Sequence, residues 1–188
     1  MEDSRHTIKI KDKTFDIFIK SDEIQQVIKD IAEKINTDLA DKNPLFLVIL
    51  NGAFMFAADL MKSITIECQI SFVKLSSYFG TQTTRVVREL IGLDSSIEGR
   101  CVVIVEDIID TGITMEHLLK NLKNLGAKEV RIATLAFKPD VFRHNYPIDY
   151  VGMRIPNDFI IGYGFDYDGY GRNSSDIYKI TEQNTSSC

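Results

Sequence analysis

Three nearly unbroken apolar runs constrain this chain more than any other feature: LFLVIL from Leu45, CVVIV from Cys101, and VRIATLAF from Val130. Each is strand-sized, and a strand without polar alternation is covered on both faces. Between them lie segments of helical period. Ile24, Val27, Ile28, Ile31, Ile35 and Leu39 recur at helical spacing, with Ser21 placed to cap that helix and Asp22 and Glu23 at its positive end. AFMFAADLMKSI follows the first run, and Met115, Leu118, Leu119, Leu122 and Leu125 share one face after the second, stopped by Gly126. Buried strands alternating with helices require an α/β fold with a parallel core sheet flanked by helices. Ile66, Cys68, Ile70 and Phe72 alternate with polar residues and predict a further strand, with a return strand from Arg85 to Leu90. Lys138-Pro139 ends the third buried run.

From Pro147 to Arg172 the chain is rich in Gly, Tyr and Asp and has little helical period. Short strands and loops are expected there, as a small hood subdomain over the sheet's carboxyl edge. The hood would be formed by the N-terminal segment and about residues 147–180. No repeat, low-complexity tract or Pro/Gly linker divides the 188 residues, so one domain is expected over 1–188. A domain of this size buries roughly 70% of its unfolded surface, enough for a core without staples.

The net charge of −5 argues against a generic nucleic-acid binder, which carries a basic face. Cys68, Cys101 and Cys188 have neither metal spacing nor a paired framework. Cys68 and Cys101 are expected to be buried as small hydrophobes, a usage that suits a reducing compartment. The start MEDSRHTIKIKDKTF lacks a signal-peptide apolar stretch, and no run is long enough to span a membrane. A cytoplasmic location follows as an expectation.

The chemistry concentrates in VVIVEDIIDTGIT, Val102 to Thr114. A buried strand ends, Glu106 and Asp107 appear, Asp110 follows, and Thr111-Gly112 opens a helix with Thr114 in its first turn. Ligands of open parallel sheets bind beyond the carboxyl ends of the strands. A helix start offers free N–H groups and partial positive charge, which suit a phosphate. Gly112 permits close backbone approach, and the Thr111 and Thr114 hydroxyls add donors. The carboxylates can accept hydrogen bonds from a ribose diol or hold hydrated magnesium. A strand–turn–helix with surface acids is the plain structural alternative, and for any single residue it is the better one. It fails for the set, because clustered carboxylates need a cation or proton to coexist. Neither the Gly-x-Gly-x-x-Gly of a dinucleotide site nor the Gly-Lys-Ser/Thr of an NTPase loop is present.

VVIVEDIIDTGIT resembles the phosphoribosyl-pyrophosphate signature of the type I phosphoribosyltransferases, in wording closest to the hypoxanthine–guanine enzymes. The likeness runs through ordered motifs from about Pro44 to Arg172. It implies transfer of a phosphoribosyl group from phosphoribosyl pyrophosphate to a 6-oxopurine, with Mg2+ as cofactor, and a homodimer or homotetramer. Residue by residue, it implies that Asn51 and Gly52 lie in the pyrophosphate loop and that Ser77-Tyr78 belong to a mobile loop closing over the reaction. Glu106 and Asp107 would meet ribose hydroxyls and metal. Asp110 would be the general base or acid at the purine's imidazole nitrogen, and residues 109–114, including Ile109 and Ile113, would hold the ribose 5′-phosphate. Lys138 would donate to the 6-oxygen, Phe159 would stack on the base, and the Ile160 carbonyl would read its edge. Asp166 would sit by the base as a magnesium ligand, and Arg172 would meet pyrophosphate. Asn51 departs from the pattern, since many relatives carry Lys or Arg there, and GRNSSDIYKI lacks the bulky apolar residues that flank their arginine. Residues about 76–84 are expected to be a lid that orders over bound substrates. A regulatory protein using this fold to sense nucleotides, or a sugar-phosphate-binding domain without catalysis, remains the alternative. His6, His117 and His144 read as structural or surface residues.

Overall fold

A computed structural model describes residues 7–78, 86–91 and 96–181, with backbone alone at 76–78 and 86–91. The main sheet contains β3 (Leu45–Leu50), β4 (Gln69–Tyr78), β5 (Val86–Ile91), β6 (Cys101–Ile109), β7 (Glu129–Phe137) and β8 (Tyr150–Arg154). Their order is β5-β4-β3-β6-β7-β8. Every neighbouring pair is parallel except β4 with β5. The three apolar runs are thus the three central strands.

Their side chains divide by period two. Phe46, Val48, Val103 and Val105 pack against α1 (Ser21–Asp38) and α2 (Phe54–Ser63). Leu45, Leu47, Ile49, Val102 and Ile104 pack against α3 (Ile113–Asn124) on the other face. All but Ile49 are at most 1% exposed, and each such side chain contributes about 1.5–3 kcal/mol by leaving water. Because β3 leads into α2 on one face and its neighbour β6 into α3 on the other, the chain switches sides between them. A crevice opens at the carboxyl edge at such a point.

A second sheet, antiparallel and ordered β1-β2-β10-β9, forms the hood from β1 (Thr7–Ile10), β2 (Lys13–Ile19), β9 (Ile160–Ile161) and β10 (Ile177–Ile180). Phe15, Ile161 and Tyr178 are its core. Two ties fix it to the helices. Asp176 accepts the Ser21 backbone N–H at 2.7 Å. The buried Tyr163 hydroxyl donates to Asp59 of α2, which also accepts from Gln25 at 2.7 Å and pairs with Lys62.

Several expectations need correcting. Ser21 makes no side-chain cap, and the hood residue Asp176 satisfies the helix start instead. The strand predicted from Ile66 begins at Gln69, and Ile70 and Phe72 are 42% and 41% exposed, so that periodicity marks no buried face. Val73, on the opposite face, is the buried residue. Cys101 is buried, whereas Cys68 is only half-buried. Tyr150–Arg154, expected among the hood's loops, extends the main sheet beside β7. Of the expected lid, residues 79–85 lie outside the described residues, and Ser77 and Tyr78 end β4 opposite Val87 and Val86. Among the described residues, no helix is long and apolar enough to cross a membrane.

Candidate active site

The last four residues of β6 and the first of α3 wrap a cavity of about 230 Å³ at the crevice. Glu106, Asp107, Ile109, Asp110, Thr111, Gly112, Ile113 and Thr114 all line it, joined by Ile49, Leu75 and Met115. Gly112 makes this geometry possible. It precedes α3 with φ +88°, a left-handed conformation that L side chains disfavour by roughly 1–2 kcal/mol. The residues of the helix start line the cavity, and the amides of a helix's first turn are donors that an anion there would meet.

Glu106 and Asp107 are adjacent at the end of β6, and Asp107 accepts the Ile108 backbone N–H at 2.9 Å. Burial and the charge of Asp107 push the Glu106 carboxyl well above the ordinary glutamate value, and burial also raises Asp107. A proton or a cation beside the pair would relieve the repulsion between the two carboxylates. Among the described residues, no three His, Cys, Asp or Glu side chains form a ready-made metal cage. The adjacent Glu106 and Asp107 carboxylates in the cavity are oxygen donors of the kind that fit Mg2+, which takes one or two protein carboxylates and completes its shell with water and substrate phosphates.

The Asp107 carboxylate lies directly against the α-carbon of Gly52, and a methyl group there would coincide with it. On its other side Gly52 meets the hood, where its carbonyl oxygen abuts Gly164. The loop after β3, which opens with a cis Leu50–Asn51 peptide and leaves Asn51 exposed, is thus held between the β6 acids and the hood. Arg172 also reaches Gly164, donating to its carbonyl, and pairs with Asp166 at 2.6 Å. Asp166 in turn accepts the Gly169 N–H at 2.6 Å. Asp166 thus bridges Arg172 and the Gly169 turn.

Lys138 follows β7 and donates its backbone N–H to the Ile109 carbonyl at 3.0 Å. Its enclosed side chain brings the ammonium within 3.9 Å of the Asp110 carboxylate and within 3.3 Å of the Asn157 amide oxygen. A carboxylate facing solvent and an enclosed cation thus stand side by side. Phe159 is 42% exposed on the hood, 5.9 Å edge-to-face from Tyr167, with the Lys13 ammonium 5.5 Å from its ring. Ile160 is buried and registered opposite Lys179.

A phosphoribosyl transferase domain model matches residues 19–168, spanning every element just described from α1 to Asp166. The chain belongs to the phosphoribosyltransferase family. A hypoxanthine-guanine phosphoribosyltransferase of Streptococcus pyogenes is 40% identical over 168 residues, covering 89% of this chain and 93% of the relative. A hypoxanthine-guanine-xanthine phosphoribosyltransferase of Tritrichomonas foetus is 39% identical, covering 84% and 86%. The crystal structure of a hypoxanthine phosphoribosyltransferase from Staphylococcus aureus superposes with a TM-score of 0.83 at 33% identity, covering 88% of this chain and 91% of that one.

The sequence passed over several residues that lie behind the residues lining the cavity. Asn157 accepts from Lys138, and Phe142, His144 and Tyr146 lie against Gly112. The aromatic spacing at 142, 144 and 146 was a local signal available to find the latter. Asn157 had none, being one polar residue in an exposed turn.

Proposed function

We propose that this chain transfers the 5-phosphoribosyl group of phosphoribosyl pyrophosphate to hypoxanthine or guanine, giving IMP or GMP and pyrophosphate, in purine salvage. The observation that carries the reading is one cavity lined by Glu106, Asp107, Asp110 and the start of α3, with Lys138 against Asp110. The amides from Gly112 to Met115 bind the ribose 5′-phosphate. Glu106 and Asp107 accept from the ribose hydroxyls and would hold Mg2+, which supplies charge neutralisation for the departing pyrophosphate. Positive charge grows on the ribose as that bond breaks, and the neighbouring carboxylates stabilise it. Asp110 exchanges the proton at the purine's imidazole nitrogen, Lys138 donates to the 6-oxygen, Phe159 stacks on the ring, and the Ile160 carbonyl faces its edge. Gly52 and Arg172 meet pyrophosphate, with Asn51 adding no cation.

The test is turnover with phosphoribosyl pyrophosphate, Mg2+ and a purine panel. Hypoxanthine and guanine should react, while adenine, whose 6-amino group would place hydrogens against the Lys138 ammonium, should react at least ~10²-fold less well. Xanthine is included because the Tritrichomonas foetus relative is named for it. Good activity on adenine, or full activity in chelator, would overturn the reading.

The raised Glu106 carboxyl gives a second expectation. Below the raised value of Glu106, where its carboxyl holds a proton, loading with Mg2+ and phosphoribosyl pyrophosphate should release it. Affinity should therefore rise with pH up to the folded-state value of Glu106. Stability without ligand has the opposite sense. The native state keeps a proton that the unfolded chain has lost above the ordinary glutamate value, so stability falls as pH rises from there towards the raised value. Calorimetric titration in buffers of different ionisation enthalpy measures the released proton, and a heat independent of buffer would count against a proton on Glu106.

A further inference from the structure

We propose that Tyr146 is a positioning residue for the 5′-phosphate loop, holding the Gly112 carbonyl so that the amides at the start of α3 face the ligand. The inference rests on the phosphoribosyl reading of this cavity. The connection from β7 to β8 returns over the helix start and captures two consecutive carbonyls of the loop. The Arg143 N–H reaches the Thr111 oxygen at 3.4 Å, and the Tyr146 hydroxyl donates to the Gly112 oxygen at 2.7 Å. Lys138, at the start of the same connection, takes the Ile109 carbonyl. Carbonyls drawn towards this connection leave the intervening N–H groups to point the other way, into the cavity. Without the Tyr146 bond, the left-handed turn at Gly112 would have fewer constraints, and part of the amide orientation would have to be organised when the ligand binds.

The ring is as firmly held as the hydroxyl. Tyr146 stacks on His144 at 5.6 Å and meets Phe142 edge-to-face at 5.2 Å. Phe142 in turn meets the buried Phe137 at 5.2 Å, which roots the cluster in the core. A side chain at position 112 would collide with the Tyr146 hydroxyl and with the rings of Phe142 and His144. Burial, with the nearby Glu116 and Glu106 carboxylates, pushes the Tyr146 phenol up to about 12, so it remains a neutral donor throughout the working pH range. The connection therefore links the two substrates' sites, with Lys138 for the base at one end and Tyr146 for the phosphate loop at the other.

Tyr146→Phe keeps the ring and removes only the hydroxyl. KM for phosphoribosyl pyrophosphate should rise roughly two- to tenfold, the worth of one hydrogen bond, with kcat and the purine KM little changed. The dissociation constant for inorganic phosphate, measured without turnover, should rise by the same factor. His144→Phe, which preserves the stack and the hydroxyl, should leave phosphate affinity native. Unchanged phosphate affinity in Tyr146→Phe would overturn the assignment. So would an equal rise in both KM values with a lowered melting midpoint, or an equal loss in His144→Phe, since each would mark Tyr146 as packing alone. If no purine is turned over but phosphate affinity falls in Tyr146→Phe, the proposed reaction fails while the role of Tyr146 stands.

Discussion

Asp110→Asn is expected to lower turnover by ~10²–10⁴-fold, the usual contribution of a positioned acid or base, while phosphoribosyl pyrophosphate still binds. The two effects separate because of where Asp110 sits. Its side chain is 49% exposed at the cavity while that of Lys138 is only 10% exposed, so the carboxylate is the member of the pair that a ligand can reach. The phosphate cradle depends on Gly112 and the helix start, which asparagine leaves alone. The ammonium of Lys138 loses its nearest carboxylate but keeps the Asn157 oxygen at 3.3 Å, so the lysine stays near its place and the purine KM should move much less than kcat. Near-native turnover of the asparagine variant at saturating substrates would remove Asp110 from proton transfer. A large loss of phosphoribosyl pyrophosphate affinity would instead assign it to the cradle.

How far such a site is legible beforehand depends on sequence distance. The segment from Glu106 to Met115 could be read because strand end, acids, glycine and helix start are contiguous, and the cavity is lined by that same stretch. LFLVIL, CVVIV and VRIATLAF were legible because strands covered on both faces need no tertiary information to stand out. Where partners are far apart, local reasoning chose the wrong one. Ser21 has the chemistry of a cap, but Asp176, 155 positions away, occupies the helix start. Ile70 and Phe72 have the right period, yet nothing among the described residues covers them, and periodicity cannot reveal whether a face has a neighbour. YVGMR is short and carries a glycine, so only its pairing with β7 makes it a strand. Gly152 has a role there, since a side chain would meet the Leu135 carbonyl and Val27. Asp166 and Arg172 were placed by resemblance to separate ligands, and their 2.6 Å pairing could not be seen from a six-residue spacing in a glycine-rich loop.

Gly52→Ala tests the closest contact in the site, and it should separate activity from stability. The backbone at Gly52 is not in the left-handed region, so alanine pays no conformational penalty there and even restricts the unfolded chain. The added methyl would instead coincide with the Asp107 carboxylate. The loop cannot retreat to make room, because the Gly52 carbonyl already abuts the backbone of Gly164 in the hood. The mobile partner is the Asp107 side chain, so it is the carboxylate that moves. Displacing it strains the bond it accepts from the Ile108 N–H and shifts one of the two acids that would face the ribose and the metal. A misplacement on the order of 1 Å can cost ~10²-fold, so kcat/KM should fall at least that far while the melting midpoint changes by only a few degrees. The Mg2+ concentration for half-maximal activity should rise as well, since the displaced group is a candidate ligand. Activity close to native would mean that Asp107 is not needed in its observed place. A collapse of the midpoint together with activity would mean that Gly52 serves the hood's packing rather than the carboxylate.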